Sequence, residues 1–408
     1  MKNLLFITWD GPQTSYMEGL FMPIFHEIAQ QADYRFHVIQ FTWAEEKKIA
    51  AVKKAAGSLG IQYTAFPILK KPVASVGSLL TLFNSASKIK KYIRHHHIDT
   101  VMPRSNFPAF MVNRINNQNF KIIFDADGLP IEERVDFAGL KKDSRQYRWL
   151  KSIETQMLKK ADAVITRSQK SIDIHLKEIG ESHRSKFSVV FNGRNADFFQ
   201  PNTKHRLESR KRLGLTSDEL LFVYCGSLGD QYCWEEMAAV VTAYRKTTPA
   251  KFLVLTGNTK FALDKISSEE ATFITVKSVP FDEIPFWLNA GDVAFALRKP
   301  TFSMQGVAPI KLGEYLLCGL PTIASKSIGD SELILEQFEE CYLYDHSGDS
   351  QIQLKEIKEF SKSSTFADRS IIRSKALDFF SLQAAAESYL KALKKFTDEE
   401  MTGQYTGI

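Results

Sequence analysis

The 408-residue chain reads as an α/β protein built from two doubly wound parallel sheets. Three observations predict this. Short apolar runs alternate with amphipathic stretches, the pattern of strands joined by covering helices. The length exceeds what one ordinary core organises, and two domains of about 200 residues fit better. The rhythm then breaks once, at the turn-rich segment 192–201 and the charged stretch 204–212, before it restarts.

In the first half, apolar runs predict strands near 3–8, 36–41, 62–67, 99–103, 121–125, 162–166 and 187–191. Helical spacing predicts helices near 17–31, 44–58, 77–95, 107–115, 143–160 and 169–179. The second half offers strands near 220–225, 252–256, 272–276, 292–297, 321–325 and 341–344. Its helices fall near 233–247, 259–266, 282–290, 309–317, 330–337 and 351–360, and a last amphipathic run covers 382–396. The expected domains are therefore 1–195 and 196–380. A C-terminal piece, 381–408, adds a helix that docks on either domain, with the first preferred, and a polar, mobile tail. In such sheets ligands bind beyond the carboxyl ends of the strands, so two of them would face a shared cleft.

A hydrophobic content of 44% and a charged content of 25% place the chain among soluble globular proteins. The net charge of +6 is unevenly spread: residues 1–200 hold 29 Lys and Arg against 19 Asp and Glu. A basic first half suggests an anionic partner, such as a membrane surface, a phosphorylated acceptor or nucleic acid. Nucleic acid fits least, because the cations are scattered rather than interleaved with aromatics. No apolar run is long enough to span a membrane, and the opening ten residues are too short in apolar core for a signal peptide. Cysteines at 225, 233, 318 and 341 lack C-x-x-C spacing, which argues against zinc and fits a reducing compartment. The expected location is the cytoplasm, with any membrane contact peripheral and at the inner face.

The richest segment is 309–325, PIKLGEYLLCGLPTIAS. It reads as a short helix with Pro309 in its first position, Gly319 as its left-handed cap, and a buried strand behind. Lys311 and Glu314 share a face near the positive end of the helix dipole. Such a turn fits a phosphate with a hydroxyl-rich group beside it, and equally a surface helix with an i,i+3 ion pair. A second signal is Val223-Tyr224-Cys225-Gly226-Ser227-Leu228-Gly229, a glycine-bearing turn from strand to helix. It is neither G-x-G-x-x-G nor a Walker sequence, which disfavours NAD and P-loop ATPase readings.

Together these segments resemble the family 4 type of retaining glycosyltransferases with the GT-B fold, also called glycosyl transferases group 1. Asn192-Gly193 through Phe198-Phe199-Gln200-Pro201 is similar to the family's linker, and Gly226-Ser227-Leu228 to its donor loop. Val279-Pro280-Phe281 looks like the segment lining the base, Ala290-Gly291-Asp292-Val293 like its "ADV", and 308–324 like its nucleotide-sugar segment. The likeness is dense over 187–330 and only architectural over 1–186.

The resemblance implies a GT-B fold and transfer of a sugar from a UDP-, GDP- or ADP-sugar to a glycan or lipid-linked hydroxyl, with no cofactor and no metal. Glu314 would hold the donor ribose. Lys311, the helix N-terminus and the Gly226 N–H would face the diphosphate, with Ser227, Gly306, Val307 and Ala308 around it. Backbone at Val279 and Pro280 would read the base. Two departures stand out. Position 306 is Gly where the family's E-x7-E places an acid, and its basic pair falls on Ser227 and Tyr232. Arg298 either replaces the missing charge or is a solvated loop residue.

In the first half, Asp125-Ala126-Asp127 resembles a metal-binding D-x-D, but it ends a strand away from the donor segment. Asp127 instead sits where the family keeps a polar residue against the reacting sugar, and a turn cap explains it equally well. Gly11 and Pro12, in the loop Trp9-Asp10-Gly11-Pro12-Gln13, occupy the place of the family's acceptor loop. His95-His96-His97 lacks the i,i+4 spacing of metal ligands and reads as a cationic helix end. Lys88, Lys90, Lys91 and Arg94 form either a membrane-facing patch or a solvated helix face. Other readings remain open: a GT-B nucleotide-sugar epimerase or a sugar phosphorylase, and a non-catalytic sugar-nucleotide-binding partner of an envelope assembly complex.

Overall fold

A computed structural model describes residues 1–12, 15–71, 73–116 and 119–403, the stretch 395–403 as backbone only. Two units emerge: Met1–Asn192 together with the segment from Leu382, and Gly193–Ser381. In the first, the alternation runs β1 (Lys2–Asp10), α1 (Met22–Gln31), β2 (Tyr34–Thr42), α2 (Glu46–Ser58), β3 (Gln62–Pro67) and α3 (Ala74–His95). It continues with β4 (Thr100–Pro103), α4 (Asn106–Asn113), β5 (Lys121–Asp127), α5 (Pro130–Phe137), α6 (Arg145–Lys160), β6 (Ala163–Thr166), α7 (Gln169–Ile179) and β7 (Phe187–Val189).

The second unit holds α8 (Thr203–Arg212), β8 (Leu220–Cys225), α9 (Trp234–Arg245), β9 (Ala250–Leu255), α10 (Thr259–Leu263) and β10 (Ile274–Lys277). After them come α11 (Ile284–Leu288), β11 (Val293–Ala296), α12 (Ile310–Leu317), β12 (Thr322–Ser325), α13 (Ser331–Leu335) and β13 (Cys341–Tyr344). Helices α14 (Ser350–Ser363) and α15 (Arg369–Phe380) close it. The last helix, α16 (Leu382–Gly403), packs on α1 in the first unit. The tail expected to be mobile lies, beyond 403, outside the described residues.

Both sheets are parallel throughout. The first has the order β3-β2-β1-β4-β5-β6-β7 and the second β10-β9-β8-β11-β12-β13. Their central strands are apolar runs because helices cover both faces: Leu4 to Ile7 of β1 and all six residues of β8 are buried. In each sheet the winding reverses once, between β1 and β4 and between β8 and β11. Loops diverge at such a point and open a crevice at the carboxyl ends of the two strands.

Three local differences from the expected elements have physical reasons. The charged stretch after 203 is the helix α8, capped by the Asn202 side chain; lacking an apolar face, it shows no hydrophobic period. Its arginines bind instead: Arg210 meets Asp292 at 2.9 Å, and Arg206 donates to the Gly291 carbonyl at 2.8 Å. Pro309 is the residue before α12 rather than its first helical position. Helices α5 and α15 were not expected at all, although Ile372, Ala376 and Phe380 are buried at helical spacing along α15. Among the described residues no helix is long and apolar enough to cross a membrane.

Candidate functional site

The reversal in the second sheet places the ends of β8 and β11 side by side, and α12 points its first turn at them. Lys311, in that turn, is buried and donates to the Tyr224 hydroxyl at 2.7 Å. Its Nζ lies 4.2 Å from the ring centroids of both Tyr224 and Tyr232. Arg298, two residues beyond β11, holds its guanidinium carbon 4.9 Å from that same Tyr232 ring. Its backbone N–H donates to Ser325 Oγ at 2.9 Å, which ties the loop to β12. Among the described residues its Nε is buried without a hydrogen-bond partner.

Two like charges thus share one aromatic support. Burial, and then the positive Arg298, hold the Lys311 ammonium well below the usual lysine range. An anion between them would relieve both the repulsion and the unpaired donor. Gly226 explains why the β8 loop passes so close: a Cβ there would stand 3.0 Å from Lys311 Nζ, and its φ is +142°. Tyr315, four residues after Lys311, pins the strand end by bonding both the N–H and the carbonyl of Cys225, at 2.8 and 3.1 Å.

Glu314 does not pair with Lys311. Its carboxylate meets Arg194 at 2.6 Å, with both side chains largely buried. Arg194 is held in turn by its N–H, which donates to the Phe380 carbonyl at 2.7 Å. Its guanidinium lies 6.0 Å from the Phe281 ring, and that ring stacks on Phe198 at 5.3 Å. The segment carrying Val279 and Pro280 thereby comes to the Arg194–Glu314 pair. Gly306 is buried, with Val307 and Ala308 half-buried, between α12 and the turn holding Met304, whose Sδ lies 3.6 Å from Arg298. Ser227 is exposed, its carbonyl accepting from Tyr224.

One expectation needs correction. The Gly226 N–H donates to the Leu255 carbonyl at 2.9 Å and so does not face a ligand; the glycine acts through the space it leaves for Lys311. Sequence reasoning missed Arg194, Tyr224 and Tyr232 as partners. Tyr232 had a signal, since it stands where the resembled family keeps a lysine.

The first unit repeats the arrangement with other groups. Asp10 ends β1, Arg104 follows β4, Asp125 and Asp127 end β5, and Arg167 follows β6. Arg104 reaches Asp125 at 2.9 Å and Asp127 at 2.7 Å, and lies 4.5 Å from the Phe21 ring. Arg167 meets Asp125 at 2.9 Å and Tyr389 of α16 at 3.4 Å. Burial alone would raise Asp125, but Arg167 and Arg104 outweigh it and hold its carboxyl low. Asp10 goes the other way: burial pushes it above the ordinary aspartate range, despite the Thr8 hydroxyl and Arg104. Asp127 has φ +67°, a left-handed backbone unusual for a residue with a side chain. Gly11 and Pro12 follow β1 at this edge, half-buried, while Gln13 lies outside the described residues.

Both carboxylates of the D-x-D are therefore matched by guanidinium groups. Elsewhere among the described residues, Cys233, Glu236 and His346 bring ligand-type atoms within 4.8 Å of one another. Burial, and then the negative Glu236, push the Cys233 thiol up to about 12, against the nearby Lys299 and Arg298. All four cysteines are free.

No protein-family profile matches the chain, and no curated protein matches its sequence. Solved structures do match in fold. Sucrose-phosphate synthase from Thermosynechococcus elongatus superposes with a TM-score of 0.71 at 14% identity, over 98% of this chain and 100% of that one. HepE of Anabaena, solved with UDP-glucose, gives 0.68 at 15%, over 97% and 100%. WaaG, a glycosyltransferase of lipopolysaccharide biosynthesis, gives 0.66 at 15%, over 95% and 98%. The chain has the GT-B fold, with two Rossmann-like units.

Proposed function

We propose that the protein is a retaining, metal-independent glycosyltransferase of the hexosyltransferase type. It would move a sugar from a UDP-, GDP- or ADP-sugar to a hydroxyl of a glycan or lipid-linked acceptor, in polysaccharide or cell-envelope biosynthesis. The observation that carries the reading is the pair Lys311 and Arg298, two cations over one tyrosine ring beside a glycine loop, with an unpaired buried donor on Arg298. The fold neighbours add support, because HepE was solved with UDP and with UDP-glucose.

In this reading Lys311 and Arg298 receive the diphosphate, and Glu314, steadied by Arg194, holds the ribose. Backbone at Val279 and Pro280 reads the base, and 306–308 closes over the sugar phosphate. Charge grows on the diphosphate as the glycosidic bond breaks, so these groups stabilise the transition state more than the ground state. Each charge-assisted hydrogen bond contributes about 1.5–3 kcal/mol, while enzymes lower barriers by at least about 8 kcal/mol. One lysine is not enough, and the second cation supplies part of the difference. Asp127 orients the sugar or the acceptor hydroxyl, which attacks on the face the leaving group departs from and gives its proton to the departing phosphate oxygen as the glycosidic bond breaks. The pairing of Asp125 and Asp127 with arginines favours a route without a metal. Free cysteines fit a cytoplasmic enzyme, and the basic first half fits peripheral contact with the inner membrane face.

The test is a thermal-shift panel of UDP, GDP, ADP and their sugar conjugates, with and without Mg²⁺. A ligand at 100 times its Kd adds about 2.7 kcal/mol of stability. A base-specific, Mg²⁺-independent shift is expected. No shift with any nucleotide would overturn the donor reading, and binding without transfer to any acceptor would favour the non-catalytic partner.

A further inference from the structure

We infer that one face of α3 is a docking surface for an anionic lipid bilayer. Val76, Leu79, Leu80 and Phe83 on the helix, with Val73 just before it, are each between 40% and 56% exposed. At 100° per residue these five side chains fall within a sector about 120° wide. Lys90, Lys91 and Arg94 continue the same sector along the last turns. The opposite face carries Leu82, Ile89 and Ile93 into the core, so the exposed stripe is not an unfinished interior. Leu69, also exposed, extends the apolar end: a Cβ on Gly77 would clash with its carbonyl, so only glycine lets the Leu69 backbone approach the helix.

The charge pattern selects the occupant. From 47 to 98 the chain has no Asp or Glu and ten Lys or Arg, four of them at 88, 90, 91 and 94. Apolar side chains at one end of the face suit acyl chains, and cations at the other suit anionic headgroups. A second copy docked face to face would set this acid-free stretch against itself, like charge against like. The surface deepens the membrane contact proposed above and rests on that reading, with the charge pattern giving the sign of the lipid.

The test is flotation of the full chain with vesicles of phosphatidylcholine, alone or mixed with phosphatidylglycerol. Strong flotation with the anionic vesicles, weak flotation with the neutral ones and release by salt are expected. Leu79→Glu with Leu80→Glu, both on exposed positions, should cut binding roughly tenfold or more, and Lys91→Glu with Arg94→Glu should do the same. Wild type that stays unbound, or variants that float as well as wild type, would overturn the inference. So would a wild-type dimer that the leucine variants convert to monomer without any vesicle binding. Nucleotide thermal shifts measured on the same samples report the donor site separately, so either reading can fail while the other stands.

Discussion

Glu314 and Arg194 form a buried ion pair at 2.6 Å, and neither is the partner that local sequence spacing suggests for the other. The pair joins the segment entering the second unit to the helix facing its sheet reversal. Removing one member of a buried pair strands a charge, at a cost of about 3–5 kcal/mol. Arg194→Leu is expected to lower Tm by roughly 5–15 °C. The double variant Arg194→Leu/Glu314→Leu should regain most of that loss yet show no nucleotide shift. Glu314→Ala alone should abolish donor binding, and unchanged nucleotide affinity in it would remove Glu314 from the site.

Gly226 makes room for Lys311. In Gly226→Ala the new methyl group meets Nζ at about 3.0 Å on a backbone that side chains rarely adopt. The strain is worth about 1–3 kcal/mol. Nucleotide affinity should fall at least tenfold with only a modest drop in Tm, both read from one thermal titration. An alanine variant that binds normally would mean Lys311 is not held where the ligand sits.

The lowered pKa of Lys311 predicts that the proposed donor binding is pH-dependent. In the free protein the ammonium loses its proton as pH rises through that lowered value. A bound diphosphate raises the pKa again, so binding takes up a proton in the window between the two values. Affinity is then highest below the free-state pKa and declines as pH climbs above it. Calorimetric titrations in buffers of different ionisation enthalpy should register this uptake in wild type and lose it in Lys311→Met.

Substitutions at Asp127 and Asp10 test the proposed catalytic role and stability separately in the first unit. Asp127→Asn should reduce transfer by roughly a hundredfold or more while leaving the nucleotide shift intact. Undiminished transfer would restrict Asp127 to a turn cap. Asp10 has its pKa raised in the folded state, which therefore binds the extra proton. Its contribution to stability falls as pH rises from the ordinary aspartate value through the raised one. Asp10→Asn should raise Tm near neutral pH and leave it unchanged in strong acid.

The alternation of apolar runs with amphipathic stretches determined, without any coordinates, an α/β fold of two parallel sheets, because strands covered on both faces must be apolar along their length. The short helix at 310–317 was legible from local signals, above all the left-handed glycine at 319. Helix α8 was not legible, because its contacts are made by arginines and periodicity sees only apolar faces. Tertiary structure alone decided the partners. Lys311 and Glu314 read as an i,i+3 pair, yet one faces Tyr224 and the other Arg194, since a buried charge settles where the fold supplies its counterpart. Likewise, strand order set Arg298 beside Lys311 and Arg104 between two aspartates, and strand order is a long-range property that no window of sequence contains.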